Sequence, residues 1–495
     1  MLATITKKIG LIFLLLYAQL NIEQAVAQTK PSTPTKTVEV SPVTCPAQLG
    51  NAIERIINRP QFSQARWGIV VNKLNNQTLY SRDSDKFFIP ASNLKLLTTA
   101  AALQQLGANF RIRTSIYGTD NGLLRLVGRG DPSLTDVQLI ALARQLKLTG
   151  VRQLNYLAID AGDRTDDIIN PEWEWGDIQA DYGAPIGSLI INQNAVTLRL
   201  FPQQIGQPLR LVWSDPITAL QWQEIDNKSV TVKAGEPIEV ELNRDLSGVL
   251  HLTGRLSINS PPESVSLAVI DPAANFRQHL HRALLTEGIK DNRSRVRLNI
   301  AEVQKQLANA PEIAAVNSPP LSQLLVEANL NSNNLYAEAL LRTLGSKVNS
   351  SASNSQKGLI AIKQALTILG VDPKSYVVVD GSGLSRHNLV SPKAIAQTLT
   401  AMASPQYAAI YRASLPVAGV SGTMTNRLKN TPAQGVVSAK TGTMSGAVAL
   451  SGYINAPNYE PLVFSIIVNQ SDQSAATIRQ SIDEIVLLLV SLRRC

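Results

Sequence analysis

Two residues in the stretch Pro90-Ala91-Ser92-Asn93-Leu94-Lys95 have side chains suited to acyl transfer: a serine hydroxyl and, three positions on, a lysine amine. A serine attacks a carbonyl only when a base takes its proton, and a desolvated lysine with a lowered pKa can do that. Whether they meet depends on the element that follows. Leu96, Leu97, Ala100, Ala101, Leu103 and Leu106 recur at helical spacing and the run stops at Gly107, so the pattern predicts a buried helix with a glycine cap. Residues three apart share a helix face, which sets the Lys95 amine over the Ser92 hydroxyl. Ser92 falls at the N-terminal end, where the helix dipole favours developing negative charge. An ordinary core helix with a snorkelling lysine has the same pattern. Against it stand two facts: S-x-x-K does not recur in the chain, and two further motifs follow downstream.

The first is Ser332-Asn333-Asn334, directly before the apolar run Leu335 to Leu341. A hydroxyl followed two positions later by an amide can set a proton relay and a hydrogen-bonding arm on one cleft wall. Ser332 also reads as a helix cap, a role compatible with catalysis, and Ser257-Ile258-Asn259 has the same S-x-N pattern. The second is Lys440-Thr441-Gly442-Thr443, between the strand-like segments Val436 to Ala439 and Ala447 to Leu450. This puts Lys440 on a sheet edge, where Gly442 lets a ligand approach the backbone and a cation beside two hydroxyls can hold a carboxylate.

In this order and spacing, Ser92, Ser332 and Lys440 resemble the S-x-x-K, S-x-N and K-T-G motifs of the penicillin-recognising serine acyltransferases. The long interval between the first two narrows the resemblance, as do Gly128-Arg-Gly-Asp131-Pro132, Ser332-Asn-Asn-Leu-Tyr-Ala-Glu338, Asp380-Gly-Ser-Gly-Leu-Ser-Arg-His-Asn388 and Leu415-Pro-Val-Ala-Gly-Val-Ser-Gly-Thr423. The chain looks like a low-molecular-mass class C penicillin-binding protein, a D-alanyl-D-alanine carboxypeptidase/endopeptidase. The resemblance implies an α/β (α+β) serine β-lactamase/transpeptidase-like domain, with an antiparallel five-stranded sheet flanked by helices. That domain would be assembled from 45–107 and 295–495, with a large, mostly β region inserted at 108–294.

Carried over, Ser92 is the acylated nucleophile, Lys95 its base and Ser332 the proton relay to the leaving amine. Asn334 holds the peptide carbonyl, Lys440, Thr441 and Thr443 hold the terminal carboxylate, and the N–H groups of Ser92 and Thr443 form the oxyanion hole. Trp173 to Pro185 resembles the part of the insertion that leans over the cleft, with Asp177 and Tyr182, together with Arg386, contacting the far end of the peptide stem. The alternative is that the tryptophans are interface packing and Asp177 caps a turn. Thr443-Met444-Ser445 departs from relatives that carry a longer amide after the K-T-G motif. The implied substrates are peptidoglycan peptide stems, with β-lactam antibiotics as covalent inhibitors and neither metal nor cofactor. No residue is assigned as a dedicated deacylation base.

The rest of the chain fits an exported enzyme. Lys7 and Lys8, the apolar run Ile9 to Leu20 and Ala25-Val26-Ala27 read as a signal peptide at 1–27, too short in its apolar part to span a bilayer. Residues 28–44, rich in Pro, Thr, Ser and Lys, read as a flexible lead-in. The net charge of +9 suits a protein working near anionic wall polymers, but Lys and Arg do not cluster with aromatics as in nucleic-acid binders. Two cysteines in an exported chain invite a disulfide, so Cys45 and Cys495 are expected to pair; idle thiols at frayed ends are the alternative. Alternating strands separated by turns between 194 and 262 predict a nested β module. The apolar run Ile485 to Val490 is expected to pack in the core and not to anchor the protein to a membrane. Of four histidines, His279 and His281 lack a third metal ligand and are expected on a solvated helix face. A Ser-His-Asp hydrolase would have to use His387 with Ser382 or Ser421, and no G-x-S-x-G elbow accompanies them.

The expected function is a periplasmic serine D-Ala-D-Ala carboxypeptidase that also cleaves D-Ala cross-links. Two rivals stand beside it: a serine β-lactamase, which would turn penicillin over rapidly, and a non-catalytic wall-binding protein, which would not need both Lys95 and Lys440 beside hydroxyls.

Overall fold

The structure, a computed structural model, describes residues 44–160, 167–222, 224–293 and 300–495. The expected signal peptide and all of the lead-in except Thr44 lie outside the described residues.

A five-stranded sheet organises the ends of the chain. Its strands are β1 (Arg66–Lys73), β2 (Thr78–Arg82), β3 (Val437–Met444), β4 (Ala447–Ile454) and β5 (Leu462–Asn469), in the order β3-β4-β5-β1-β2, with every neighbouring pair antiparallel. All eight residues of β4 and all eight of β5 are buried, as their near-continuous apolar sequences require of central strands covered on both faces. Alternate residues go to opposite faces. Trp67, Ile69, Val71, Phe464, Ile466 and Val468 pack with the helices Pro46–Ile57 and Ala475–Val490. Val70, Ala449, Tyr453, Val463 and Ile467 pack with the helices Lys95–Leu106, Leu321–Asn329, Asn334–Gly345 and Pro392–Met402. The apolar run near the C-terminus is core, with Ile485, Val486 and Leu489 fully buried. Among the described residues no helix is long and apolar enough to cross a membrane.

Cys45 and Cys495 form a disulfide, their Cα atoms 5.8 Å apart across a sequence separation of 450. A hydrogen bond from Arg493 N–H to the Thr44 carbonyl (3.2 Å) runs beside it.

The intervening chain builds its own sheets. Arg113–Gly118, Leu123–Val127 and Tyr156–Asp160 form one of them, completed by Glu312–Asn317 on the outer edge of Arg113–Gly118. The strand Glu312–Asn317, within the stretch expected with the five-stranded sheet, therefore returns to this one. Gln145 holds the strand there through both the N–H (2.9 Å) and the C=O (3.0 Å) of Ala315, a long-range tie that leaves no local mark in the sequence. The nested β region is two small sheets, Glu263–Ala268 with Ala195–Phe201 and Arg210–Trp213, and Val230–Val232 with Leu250–Ser257 and Glu239–Arg244. Leu198, Leu200, Leu252 and Leu256 join them. The region runs past 262 because Glu263–Ala268 pairs along the whole of Ala195–Leu200. His279 is not solvated: its buried ring sits between Asp136 (2.7 Å from Nδ1) and Asp215 (3.1 Å from Nε2), which the helix spacing alone did not disclose.

The cystine predicts that protein denatured without reductant gives no signal in a thiol titration, and that reduction exposes two thiols per chain. Two reactive thiols before reduction would show that the ends are not joined.

Candidate active site

Ser92 lies in a 3-10 turn, Ala91–Leu94, that runs straight into the helix Lys95–Leu106, which ends at Gly107 (φ +76°) as its sequence predicts. Side chains three apart eclipse in a 3-10 turn, and Lys95 Nζ stands 3.0 Å from Ser92 Oγ. Ala91, just before the serine, adopts a left-handed backbone (φ +47°), a conformation that costs a non-glycine residue about 1–3 kcal/mol and persists only where its surroundings enforce it. The enforcement is visible next door. Asn93 is buried and donates to Ser451 Oγ (2.7 Å), which donates to Ser465 Oγ (2.9 Å), pinning the turn to β4 and β5. These three residues escaped the sequence reading. The available signal was a single serine interrupting each of two apolar strands.

Lys95 has no solvent exposure. Besides Ser92, Nζ meets the Asn334 side-chain carbonyl (2.6 Å) and the Ser382 backbone carbonyl (2.8 Å). The orientation of the Asn334 amide is settled by its other end, because Nδ2 donates to the Tyr182 carbonyl (2.9 Å). A neutral amine has two N–H groups and one lone pair. Two of its three neighbours are carbonyl oxygens, which only accept, so they take both N–H groups. The lone pair is left facing the one partner that can donate, the Ser92 hydroxyl. Burial pulls the Lys95 pKa down to about 7, against the opposing pull of Asp380 and Glu338.

A second lysine–serine pair lies opposite. Lys440, on the edge strand β3, is fully buried and donates to Ser332 Oγ (2.7 Å) and the Thr441 carbonyl (2.9 Å). Burial and neighbouring Lys95 hold its pKa well below the usual lysine value. Ser332 is left-handed (φ +58°) and is not the helix cap: the Asn333 side chain accepts from Tyr336 N–H (3.2 Å), and Ser332 stands one residue earlier, turned toward Lys440. The Thr441 hydroxyl meets that of Thr423 (2.8 Å), while Thr443 is exposed on the same strand. The three motifs thus line one cleft, linked through the Lys95–Asn334 contact and Lys440–Ser332.

Asp177 and Arg386 are neighbours without a direct bond. Asp177 accepts from the Tyr182 hydroxyl (3.3 Å), whereas Arg386 donates to Glu174 (2.6 Å) and to the Ser445 carbonyl (2.7 Å) at the end of β3. The two tryptophans differ: Trp173 is packed and its indole donates to Asp380 (3.1 Å), while Trp175 is half exposed. His387 pairs with Glu172, so it is not arranged to serve Ser382 or Ser421.

This arrangement can run covalent acyl transfer on a serine, the chemistry of a serine-type hydrolase. The sequence matches the D-Ala-D-Ala carboxypeptidase 3 (S13) family over residues 49–488. It is 34% identical to a D-alanyl-D-alanine carboxypeptidase of Actinomadura sp. (strain R39), over 85% of this chain and 81% of the relative. It is 31% identical to a penicillin-sensitive carboxypeptidase A of Dictyostelium discoideum, over 86% of this chain and 87% of the relative. The fold is similar to that of penicillin binding protein 4 (dacB) from Haemophilus influenzae, with a TM-score of 0.75 and 23% identity over 89% of this chain and 99% of that one. The chain belongs to the D-Ala-D-Ala carboxypeptidase 3 (S13) family and is a serine-type enzyme of that class.

Two predictions follow from the geometry. A base must be unprotonated to act, so covalent labelling of the enzyme by penicillin should rise with pH through about 7 and fall away below it; a rate flat from well below to well above neutrality would contradict the lysine assignment. Gly442 packs its backbone on the nucleophile turn: a Cβ there would stand 2.8 Å from the Pro90 carbonyl oxygen and 3.2 Å from Asn93 N. Gly442→Ala should leave a folded protein acylated about 10²-fold more slowly, the scale of a misplacement near 1 Å. Unaltered acylation kinetics would show the contact to be slack.

Proposed function

We propose that this protein removes the terminal D-alanine from peptidoglycan peptide stems in the periplasm, and opens D-Ala cross-links through the same acyl-enzyme. The observation that carries this reading is the buried amine of Lys95, 3.0 Å from the Ser92 hydroxyl, with Lys440 on Ser332 beside it. Lys95 takes the hydroxyl proton as Ser92 Oγ bonds to the carbonyl carbon of the penultimate D-alanine. The oxyanion rests on the N–H groups of Ser92 and Thr443, donors whose removal costs roughly 2.7–4 kcal/mol each in comparable sites.

The C–N bond then breaks. The leaving amine receives that proton from Lys95 by way of Ser332, whose hydroxyl Lys440 orients, so Lys95 is again an unprotonated base. Water attacks the ester, gives its proton to Lys95, and Ser92 recovers a hydroxyl. Asn334 holds the substrate's peptide carbonyl, and Lys440, Thr441 and Thr443 hold its terminal carboxylate. Asp177 and Arg386 belong to the wall that receives the far end of the stem, and the insertion between about 108 and 317 supplies that wall. β-Lactams acylate Ser92 in the place of the stem. Glu338 and Asp380 are engaged by backbone N–H groups and no residue is assigned as a dedicated deacylation base, which fits slow release of penicillin.

The discriminating experiment incubates the enzyme separately with a monomeric pentapeptide muropeptide and a cross-linked dimer, and reads the products by mass. Loss of one alanine from the first and halving of the second are expected. Ser92→Ala should abolish both reactions and covalent penicillin labelling, and Lys95→Ala should slow acylation by about 10²–10⁴-fold. A fully labelled Ser92→Ala chain would refute the nucleophile, and rapid release of hydrolysed penicillin by the wild type would make it a β-lactamase.

A further inference from the structure

We propose that Glu338 is a positioning residue for this chemistry, one that aims the Ser382 carbonyl at the amine of Lys95. The proposal rests on the reading of Lys95 as the base for Ser92.

Glu338 sits one turn into the helix that opens with Asn334, in an otherwise apolar run, and is buried. One of its oxygens, Oε1, accepts two backbone N–H groups at 2.8 Å, from Gly381 and from Ser382. The carbonyl of that same Ser382 is one of the two acceptors that orient Lys95 Nζ. The nucleophile helix adds a second grip, since Thr98, one turn beyond Lys95, donates to the Gly381 carbonyl (2.7 Å). The loop has little freedom elsewhere. Asp380 accepts from Gly383 N–H (2.8 Å), Ser385 N–H (2.7 Å), Asn388 Nδ2 (2.9 Å) and the Trp173 indole (3.1 Å). Gly383 (φ +82°) lies so close to the nucleophile turn that a Cβ would fall 2.0 Å from the Ala91 carbonyl oxygen.

A carboxylate withdrawn from water needs donors, and Glu338 finds them in the backbone of the loop that faces the base. Without it Gly381 and Ser382 would keep two buried N–H groups unpaired, and the peptide would be free to turn its carbonyl away. Lys95 would then lose one of its two obligate acceptors. Its lone pair would no longer be confined to the Ser92 direction.

Glu338→Gln separates the two contributions of this side chain, because its remaining carbonyl oxygen can accept both N–H groups while the charge is gone. Glu338→Ala removes the acceptor altogether. The readout is acylation of Ser92 by penicillin, resolved into noncovalent affinity and acylation rate constant across pH, with the wild type measured alongside. The expected result is an acylation rate constant about 10²-fold lower in E338A with affinity unchanged, the scale of a misaimed group. E338Q should acylate near the wild-type rate at high pH, because its amide oxygen still accepts from Gly381 and Ser382. An E338A chain that acylates like the wild type, or an E338Q chain as slow as E338A at high pH, overturns the proposal. If E338A does not fold, E338Q decides: an acylation rate constant far below the wild type at high pH overturns it. Failure of the wild type to become labelled would sink the underlying reading of Lys95, a distinct outcome.

Discussion

A lysine amine stripped of water and held between two carbonyl oxygens is the constraint on which this structure turns. Burying an ammonium costs several kcal/mol even after relaxation, so burial pulls the pKa down to about 7 and puts the amine form within reach near neutrality. Hydrogen-bond arithmetic then does the aiming. Carbonyls can only accept, both N–H groups are taken by Asn334 and Ser382, and the lone pair has one direction left. The reactivity assigned to Ser92 comes less from the serine than from what surrounds its neighbour.

That arrangement needs parts from distant stretches of chain. Ser92 and Lys95 come from the N-terminal third, Asn334 and Ser382 from beyond the insertion, and Lys440 from the edge strand of a sheet closed by pairing β1 with β5. The cystine joins the first helix to the last residue of the same layer. Close backbone contacts at Gly442 and Gly383 clamp the nucleophile turn from the two sides. Left-handed backbones at Ala91 and Ser332 mark where the scaffold holds the chain in conformations it would not choose alone. The insertion touches the same assembly through Trp173 on Asp380 and Tyr182 on Asn334, so the cleft wall and the base share supports.

The sequence reading went wrong where a local pattern had more than one tertiary setting. Ser332 was read as a proton relay that could double as a helix cap; Asn333 takes the cap, and Ser332 is left to Lys440. His279 looked solvated because arginines flank it, yet Asp136 and Asp215 come from other elements to bury it as a paired group. The stretch up to Asn317 was expected in the transpeptidase-like domain, yet Glu312–Asn317 pairs with Arg113–Gly118, about two hundred positions earlier.

What the amino-acid order determined by itself was everything carried by short spacing. The three-residue interval of Ser92 and Lys95, the helix up to Gly107, the largely apolar β4 and β5 and the edge-strand K-T-G were legible because periodicity and propensity act over a few residues. Tertiary structure alone decided which carbonyls face Lys95, that both lysines lose their water, and that Asn93, Ser451 and Ser465 lock the nucleophile turn. Those are facts of burial and of contacts between remote segments. Desolvation and hydrogen-bond direction exist only once the segments have been brought together.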